Sequence, residues 1–147
     1  MKVAQALATW FGCGRAPIAP GTFGALGALP LHFVLRRANP LAYFAVAAAV
    51  TALGVWAAQK TAEALGEEDP QSVVIDEVAG VLIALGFVRG RGLTAEALAW
   101  ALFRAFDIVK PGPVDRLQHL KPEGVGIMAD DVLAGLLAGV AARLLTR

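Results

Sequence analysis

The segment "LAYFAVAAAVTALGVWAA", residues 41–58, decides the fold class. It contains no Asp, Glu, Lys or Arg, and alanine recurs through it beside larger aliphatic residues. Alanine and leucine favour helix, and about 18 apolar residues is close to the shortest helix that crosses a bilayer. The segment therefore predicts a long apolar helix. Its sequence leaves open whether that helix lies in the middle of a soluble bundle or in a membrane.

The composition of the whole chain also leaves open whether the protein is soluble or lies in a membrane. The 147 residues suit one domain covering residues 1–147, and 57% of them are hydrophobic while 17% are charged. The net charge is +1 and no run of Lys or Arg stands out, so nucleic acid is excluded as a partner. The single cysteine, Cys13, forms no internal disulfide, and with only two histidines a structural zinc site is excluded as well.

Helical patterns continue on both sides of the opening segment. Apolar residues recur at helical spacing through residues 74–87, and a second helix is expected from Ala95 to about Lys110. Thr94 is expected to cap that second helix, with Glu96 in its first turn and two prolines after its end. Residues 115–128 are expected to form a connector, and 130–145 a closing helix with aspartate at its head.

No segment predicts a strand ladder, so the expected fold is all-α: a compact bundle of five to six helices. Glycines at 135 and 139, and alanines at 45 and 49, have the spacing that lets helices approach closely. The bundle is expected to be either embedded in a membrane or associated with one, with a soluble bundle as the alternative. Trp10 and Tyr43 are candidate interfacial anchors.

Five acidic residues lie in apolar surroundings: Asp76, Glu77, Asp107, Asp130 and Asp131. Burying an unpaired carboxylate costs several kcal/mol, so these groups must be paired, protonated or bound to a cation. Carboxylates without histidine or thiolate favour a hard ion such as Mg²⁺. The alternative is that the acids at 76–77 and 130–131 only cap helices.

The segment "FRAFDIVKPGPVD", residues 103–115, adds two bases to this inventory. Arg104, Asp107 and Lys110 are three residues apart and therefore share one face of the expected helix. A surface ladder of salt bridges is one interpretation. Binding of an anionic substrate next to a cation is the other, and it matches the needs of phosphoryl transfer to water.

A Pro-Gly segment, residues 12–30, supplies a candidate phosphate contact. Gly21 and Gly24 bracket Thr22 where a helix should begin, so free backbone N–H groups and a hydroxyl would point outward together. A simple capped turn has the same pattern.

Four blocks in this order resemble the phosphatidylglycerophosphatase A family: "GRAPIAPGTFGAL" (14–26), "VIDEVAG" (74–80), "FRAFDIVKPGPVD" (103–115) and "GVGIMADDVLAG" (124–135). The resemblance covers residues 9–145. It implies a Mg²⁺-dependent enzyme that removes the terminal phosphate of phosphatidylglycerophosphate, in the bacterial inner membrane with the site facing the cytoplasm, or else in a soluble cytoplasmic relative. An anionic phospholipid would be the substrate, and a homo-oligomer is compatible.

The resemblance also assigns roles to residues. The metal ligands would be Asp76, Glu77, Asp107, Asp130 and Asp131. The catalytic residues would be Arg104, Asp107, Lys110 and Asp131, and the substrate would be bound by Pro20, Gly21, Thr22, Arg104 and Lys110.

Other phosphatase chemistries lack their residues. Cys13 is not followed six positions later by arginine, no Asp-x-Asp triplet exists, and the sole serine, Ser72, is followed by valine instead of arginine. Two non-enzymatic hypotheses stay open: a helical membrane protein whose acids sense or conduct ions, and a structural bundle whose acids are caps.

Overall fold

A computed structural model describes residues 2–146 of the chain. In that range the chain forms helices and no strand: α1 Lys2–Ala8, α2 Pro20–Gly27, α3 Leu29–Leu35, α4 Pro40–Leu65, α5 Ile75–Gly86, α6 Leu93–Val109, α7 Gly112–Leu117 and α8 Glu123–Leu145. The all-α prediction is confirmed. The helices beyond the expected five to six are short, because proline and glycine in 20–35 and 112–117 begin or tighten helical turns there instead of abolishing them.

Helix α5 forms the centre of the bundle. Every residue from Ile75 to Gly86 is buried except Glu77, which is partly exposed. Helices α4, α6 and α8 pack around it, and α2 covers its first turn. Because the chain reverses direction at each connection, the first turn of α5, the last turn of α6 and the first half of α8 lie at the same end of the bundle. The fold thereby gathers the acidic blocks, which are far apart in sequence.

The opening segment lies within α4, which begins at an Asn39 side-chain cap and ends at Gly66 in the left-handed conformation (φ 67°). Helices α4 and α8 are both long and apolar enough to cross a bilayer, and only 33% of the apolar window of α4 is buried inside the protein. A central helix of a soluble bundle would be mostly covered. The outward apolar surface of α4 is therefore consistent with membrane association.

Two expectations about α4 need correction. Tyr43 is fully buried and its hydroxyl donates to the Leu82 carbonyl at 2.7 Å, so it does not act as an interfacial anchor. Trp10, the other candidate anchor, is partly buried and donates its ring N–H to the Gly27 carbonyl at 2.9 Å, and its role as an interfacial anchor stays a prediction. Ala45 and Ala49 are exposed and make no close helix contact.

Two helix boundaries also differ from the prediction. Gly92 stands at the N-cap of α6, and Thr94 is inside the helix without a capping bond. Helix α8 begins at Glu123, so the expected connector is shorter and Gly124 is helical. A Cβ at Gly124 would lie 2.3 Å from the Val55 carbonyl oxygen, so glycine is needed there for close packing on α4.

The crossing of α5 and α8 depends on two further glycines. A Cβ at Gly135 would lie 2.6 Å from the carbonyl oxygen of Gly80, and a Cβ at Gly80 would lie 2.2 Å from the Phe103 ring. Backbone atoms of the two helices are therefore in direct contact. This close approach holds α8, with its two aspartates, against the first turns of α5.

We expect Gly135→Ala to lower the free energy of unfolding by about 1–3 kcal/mol, the usual cost of overpacking, because the added methyl must separate two helix backbones. Chemical or thermal denaturation in detergent measures the change. Gly112→Ala is the matched control, since a Cβ at Gly112 meets nothing within 4 Å. Equal stability of the two variants would contradict a tight α5–α8 contact.

Candidate active site

The site is built at one end of the bundle from four helices. Asp76 and Glu77 occupy the first turn of α5, the position that the alternative interpretation gave them, and they also lie in the acidic cluster. Asp107 lies in the last turn of α6. Asp130 and Asp131 lie two turns inside α8, so the alternative in which they cap the closing helix is wrong. Because acids here fall within buried helical segments, they carry a desolvation cost that caps on the surface would avoid.

The five acids converge into two overlapping groups. Carboxylate oxygens of Asp76, Asp130 and Asp131 lie within 4.8 Å of one another, and so do those of Glu77, Asp107 and Asp131. Asp131 belongs to both groups and is 1% exposed. The arrangement could hold one or two cations, with Asp131 between them.

Two carboxylate oxygens in this cluster have no hydrogen-bond donor. Asp131 Oδ2 and Glu77 Oε2 are both buried and unpartnered. Such oxygens are costly unless a proton or a cation satisfies them. Burial, with the nearby Glu77 charge, raises the pKa of Asp76 well above its usual range, and burial raises the pKa of Glu77 to about 7. The donor set therefore fits a hard divalent ion, which would compensate the repulsion that these pKa shifts report.

Two bases connect the acids to each other. Lys110 Nζ lies 2.7 Å from Asp130 Oδ2 and 3.4 Å from Asp107 Oδ1. Although burial alone lowers the pKa of Lys110, its bond to Asp130 and the surrounding carboxylates raise it overall. Arg104 donates to Asp107 Oδ2 at 2.5 Å and lies 3.6 Å from Glu77 Oε1. The predicted shared face of α6 is thus real, and it points inward instead of forming a surface ladder.

Helix α2 begins directly over this cluster, at the segment Pro20–Thr22. A Cβ at Gly21 would lie 2.8 Å from Glu77 Oε1, so a larger residue at this position would displace the Glu77 carboxylate. Ala19, ahead of it, adopts a left-handed conformation (φ 50°) that costs a non-glycine residue energy. The strained entry turns the helix start toward the acids.

A cavity of 490 Å³ opens beside the cluster. It is lined by all five acids, by Lys110, Pro20 and Gly21, and by residues that the sequence analysis did not select: Pro17, Ala19, Asp69, Pro70, Gln71, Val73 and Ile127. Thr22 and Arg104 do not line it: the Thr22 hydroxyl lies 3.4 Å from Arg104 Nη2, and Arg104 pairs with the lining residues Asp107 and Glu77. Of these residues, Asp69 is the one acid that was not predicted to be part of the site. Its Asp-Pro sequence just ahead of the acidic block was the only available signal, since polar loops are common.

Comparisons with known proteins identify the family of this chain. The family model described as phosphatidylglycerophosphatase A matches residues 6–146. A Bacteroides thetaiotaomicron protein named "Putative phosphatidylinositol-3-phosphatase" is 44% identical over 88% of this chain and 85% of its own length. Proteins named phosphatidylglycerophosphatase A from Haemophilus influenzae and Escherichia coli are 38% and 33% identical, each over 90% of this chain and over 82% and 77% of their own lengths. No solved structure matches significantly.

The match spans nearly the whole chain and includes each block that contributes to the acidic cluster. The chain therefore belongs to the phosphatidylglycerophosphatase A family of phosphatases.

Proposed function

We propose that this protein is a Mg²⁺-dependent lipid phosphatase that hydrolyses the terminal phosphate ester of phosphatidylglycerophosphate, giving phosphatidylglycerol and inorganic phosphate. The observation that carries the proposal is the convergence of five acids from three helices, four of them buried and Glu77 partly exposed, beside one lysine in a single open cavity. A structural bundle with acids only as caps does not explain buried carboxylates aimed at each other.

Mg²⁺ would be held by Asp76, Glu77, Asp107, Asp130 and Asp131, with Asp131 shared between the two groups. When bound, Mg²⁺ supplies positive charge to the phosphoryl oxygens and makes a nearby water easier to deprotonate. The two unpartnered oxygens, on Asp131 and Glu77, are the protein atoms that most need such an ion.

The remaining steps fall to residues of this chain. A carboxylate of the cluster accepts the proton of the attacking water, the water oxygen forms the new bond to phosphorus, and the ester oxygen leaves on the opposite side and takes a proton. Lys110 lines the cavity and neutralises charge on the phosphoryl oxygens. The start of α2 gives a further anion contact through the Gly21 N–H, because Pro20 has no N–H and the Thr22 N–H already donates to the Ala19 carbonyl at 3.1 Å. Arg104 fixes the orientation of Asp107 and Glu77 from behind.

The substrate's acyl chains need apolar surroundings next to this polar cavity. Helices α4 and α8 leave apolar side chains uncovered along their length, among them Leu53, Trp56 and Leu137. In this proposal those surfaces lie in the bacterial inner membrane, and the cavity opens to the headgroup layer on the cytoplasmic side.

Phosphate release from purified protein in detergent micelles tests the proposal. We expect turnover of phosphatidylglycerophosphate to disappear with a chelator and to return when Mg²⁺ is added in excess. A second substrate, phosphatidylinositol 3-phosphate, belongs in the same assay because the Bacteroides relative carries that name. It is the second candidate substrate, and both lipids present a phosphomonoester on a glycerophospholipid headgroup.

The outcomes separate these possibilities. Faster release from phosphatidylinositol 3-phosphate would replace the proposed substrate and keep the site. Turnover only of a water-soluble phosphomonoester would indicate a relative that has left lipid metabolism. Chelator-resistant turnover would remove Mg²⁺ from the proposal, and divalent binding without any turnover would favour an ion-sensing protein.

A further inference from the structure

The charged residues of this protein are divided between the two ends of the bundle in an uneven way. Of its 12 acidic residues, only Glu96 lies at the end opposite the catalytic cavity, and Glu96 is buried and paired with Arg36 and His32. Among the residues that the structure describes, the same end carries five arginines: Arg36, Arg37, Arg89, Arg91 and Arg143. We call this surface the arginine end.

These arginines form one continuous surface because they tie three segments together. Arg89 Nη1 donates to the Ala38 carbonyl at 2.6 Å, which joins the turn before α4 to the turn after α5. Arg91 Nη1 donates to the Arg143 carbonyl at 3.0 Å, and Arg143 Nη1 donates to the Phe87 carbonyl at 3.0 Å, which joins the end of α8 to the same turn.

These hydrogen bonds leave most of the guanidinium N–H groups free. A guanidinium carries five N–H donors, and Arg91 and Arg143 each use one nitrogen here, on a neutral carbonyl that cancels no charge. Arg37 is exposed. Two surface hollows lie among these side chains, one lined by Phe33, Arg36, Arg37 and Gly90 and the other by Phe87, Arg91, Val140, Arg143 and Leu144. Both hollows therefore combine cationic and apolar walls.

Large exposed apolar side chains surround the arginines: Val34 is 79% exposed, Leu41 82%, Leu93 64% and Leu144 55%. A nucleic acid or a soluble anion would leave them in water. A bilayer interface buries aliphatic groups and presents phosphates in the same layer, so it satisfies both kinds of residue.

Helix length agrees with this assignment. From Glu123 to Arg143 the axis of α8 rises by about 30 Å, which is about the thickness of the hydrocarbon core. No charged residue lies between Asp131 and Arg143, or between Arg37 and Lys60 on α4. The two ends of the bundle, marked by Lys60 and Glu123 at one end and by Arg37 and Arg143 at the other, are thus spaced as two headgroup layers are. Asp131 lies 12 residues from Arg143, about 18 Å along α8, so the acidic cluster is recessed by about 12 Å from the end at Glu123.

We propose that the arginine end is a binding surface for anionic phospholipid headgroups, separate from the catalytic cavity and located in the opposite headgroup layer. Phosphate oxygens take the free guanidinium donors, and the acyl chains of the same lipids cover the apolar side chains beside them. This inference needs no particular substrate in the catalytic cavity.

Thermal unfolding of the full chain in uncharged detergent micelles tests the proposal. Phosphatidylserine is the probe and phosphatidylcholine the neutral reference; phosphatidylglycerol is avoided because it could enter the cavity as product. We expect phosphatidylserine to raise Tm more than phosphatidylcholine does. In the triple variant Arg37→Gln/Arg91→Gln/Arg143→Gln, the lipid concentration for half the shift should rise about 100-fold, at roughly fivefold for each basic residue.

Three controls make the result decisive. Replacing the same arginines by lysine keeps the charge and should keep most of the Tm increase caused by phosphatidylserine. This variant therefore distinguishes loss of charge from a folding defect in the glutamine variant. Phosphate release by the glutamine variant should be unchanged, since none of the three residues lines the cavity. Arg15→Gln/Arg116→Gln/Lys121→Gln removes the same charge from exposed positions outside the arginine end and should retain the shift.

An equal loss in that last variant would mean that overall charge governs lipid binding, and the proposal would be overturned. It would be overturned as well if inorganic phosphate alone reproduced the shift and the arginine-end variant lost that response, because the surface would then bind free anions. The proposal would also be overturned if phosphatidylserine raised the Tm of the glutamine variant as much, and at the same lipid concentration, as that of the wild type.

Discussion

Asp131→Asn is expected to reduce Mg²⁺-dependent phosphate release by about 100- to 1,000-fold, the usual loss when one preorganised charged group is removed from an active site. Asp131 contributes oxygens to both carboxylate groups, so its loss affects every cation position that the cluster offers. Phosphate release at saturating substrate, over a range of Mg²⁺ concentrations, measures the effect. Unchanged release at all concentrations would refute the proposed site.

Stability measured on the same variant distinguishes a functional from a structural role. Asp131 is fully buried with one unpartnered oxygen, so without Mg²⁺ the neutral asparagine should leave Tm equal or higher. Stabilisation by Mg²⁺, seen in the wild type, should be lost. Asp115→Asn is the control, because Asp115 is exposed and bonds only Gln118, and it should behave as wild type in both measurements.

Lys110→Met is expected to lower phosphate release by a similar factor, about 100-fold or more. In residues 2–146 it removes the one cationic side chain that lines the cavity, and it keeps an apolar stem of similar length. Removal of the lysine also leaves Asp107 and Asp130 without the ammonium that lies between them. Comparison of kcat and KM with those of the wild type measures both effects.

Lys110→Arg retains the charge and should recover part of the rate, which a purely structural role in the turn after α6 would not require. Lys60→Met is the matched control, since Lys60 is exposed and pairs only with Glu63 at 3.9 Å. A rate for Lys110→Met equal to that of the control would remove Lys110 from the proposed mechanism.

Local sequence pattern predicted the helices well wherever propensity and packing agree. The long apolar run at 41–58 lies within a helix that continues to Leu65, and the periodic segment at 74–87 forms a helix with nearly the expected limits. The errors fall where glycine serves packing instead of breaking a helix. Gly124 looks like a loop residue in sequence, but it is helical because α8 must approach the backbone of α4.

Most residues of the candidate site could be predicted from the sequence for a chemical reason. Carboxylates are conspicuous in apolar segments because their burial is costly, so Asp107 and the two acidic pairs could be selected without a structure. Asp69 was missed because an acid in a polar loop costs nothing, and only the packing of that loop on the cavity distinguishes it. Thr22 was selected as a phosphate contact, but its hydroxyl lies beside Arg104.

By itself, then, the sequence determined that the chain is helical, that its buried acids need compensation and that the family is one of phosphatases, because each of these depends on residue type and short-range order. Only the tertiary structure decided that Asp131 is shared by two carboxylate groups, that Arg104 lies behind the acids while Lys110 faces the cavity, and that five arginines from three segments meet at the far end. Those facts depend on how helices cross and reverse. Crossing is set by contacts such as that between Gly80 and Gly135, which join residues too distant in sequence for any local pattern to relate.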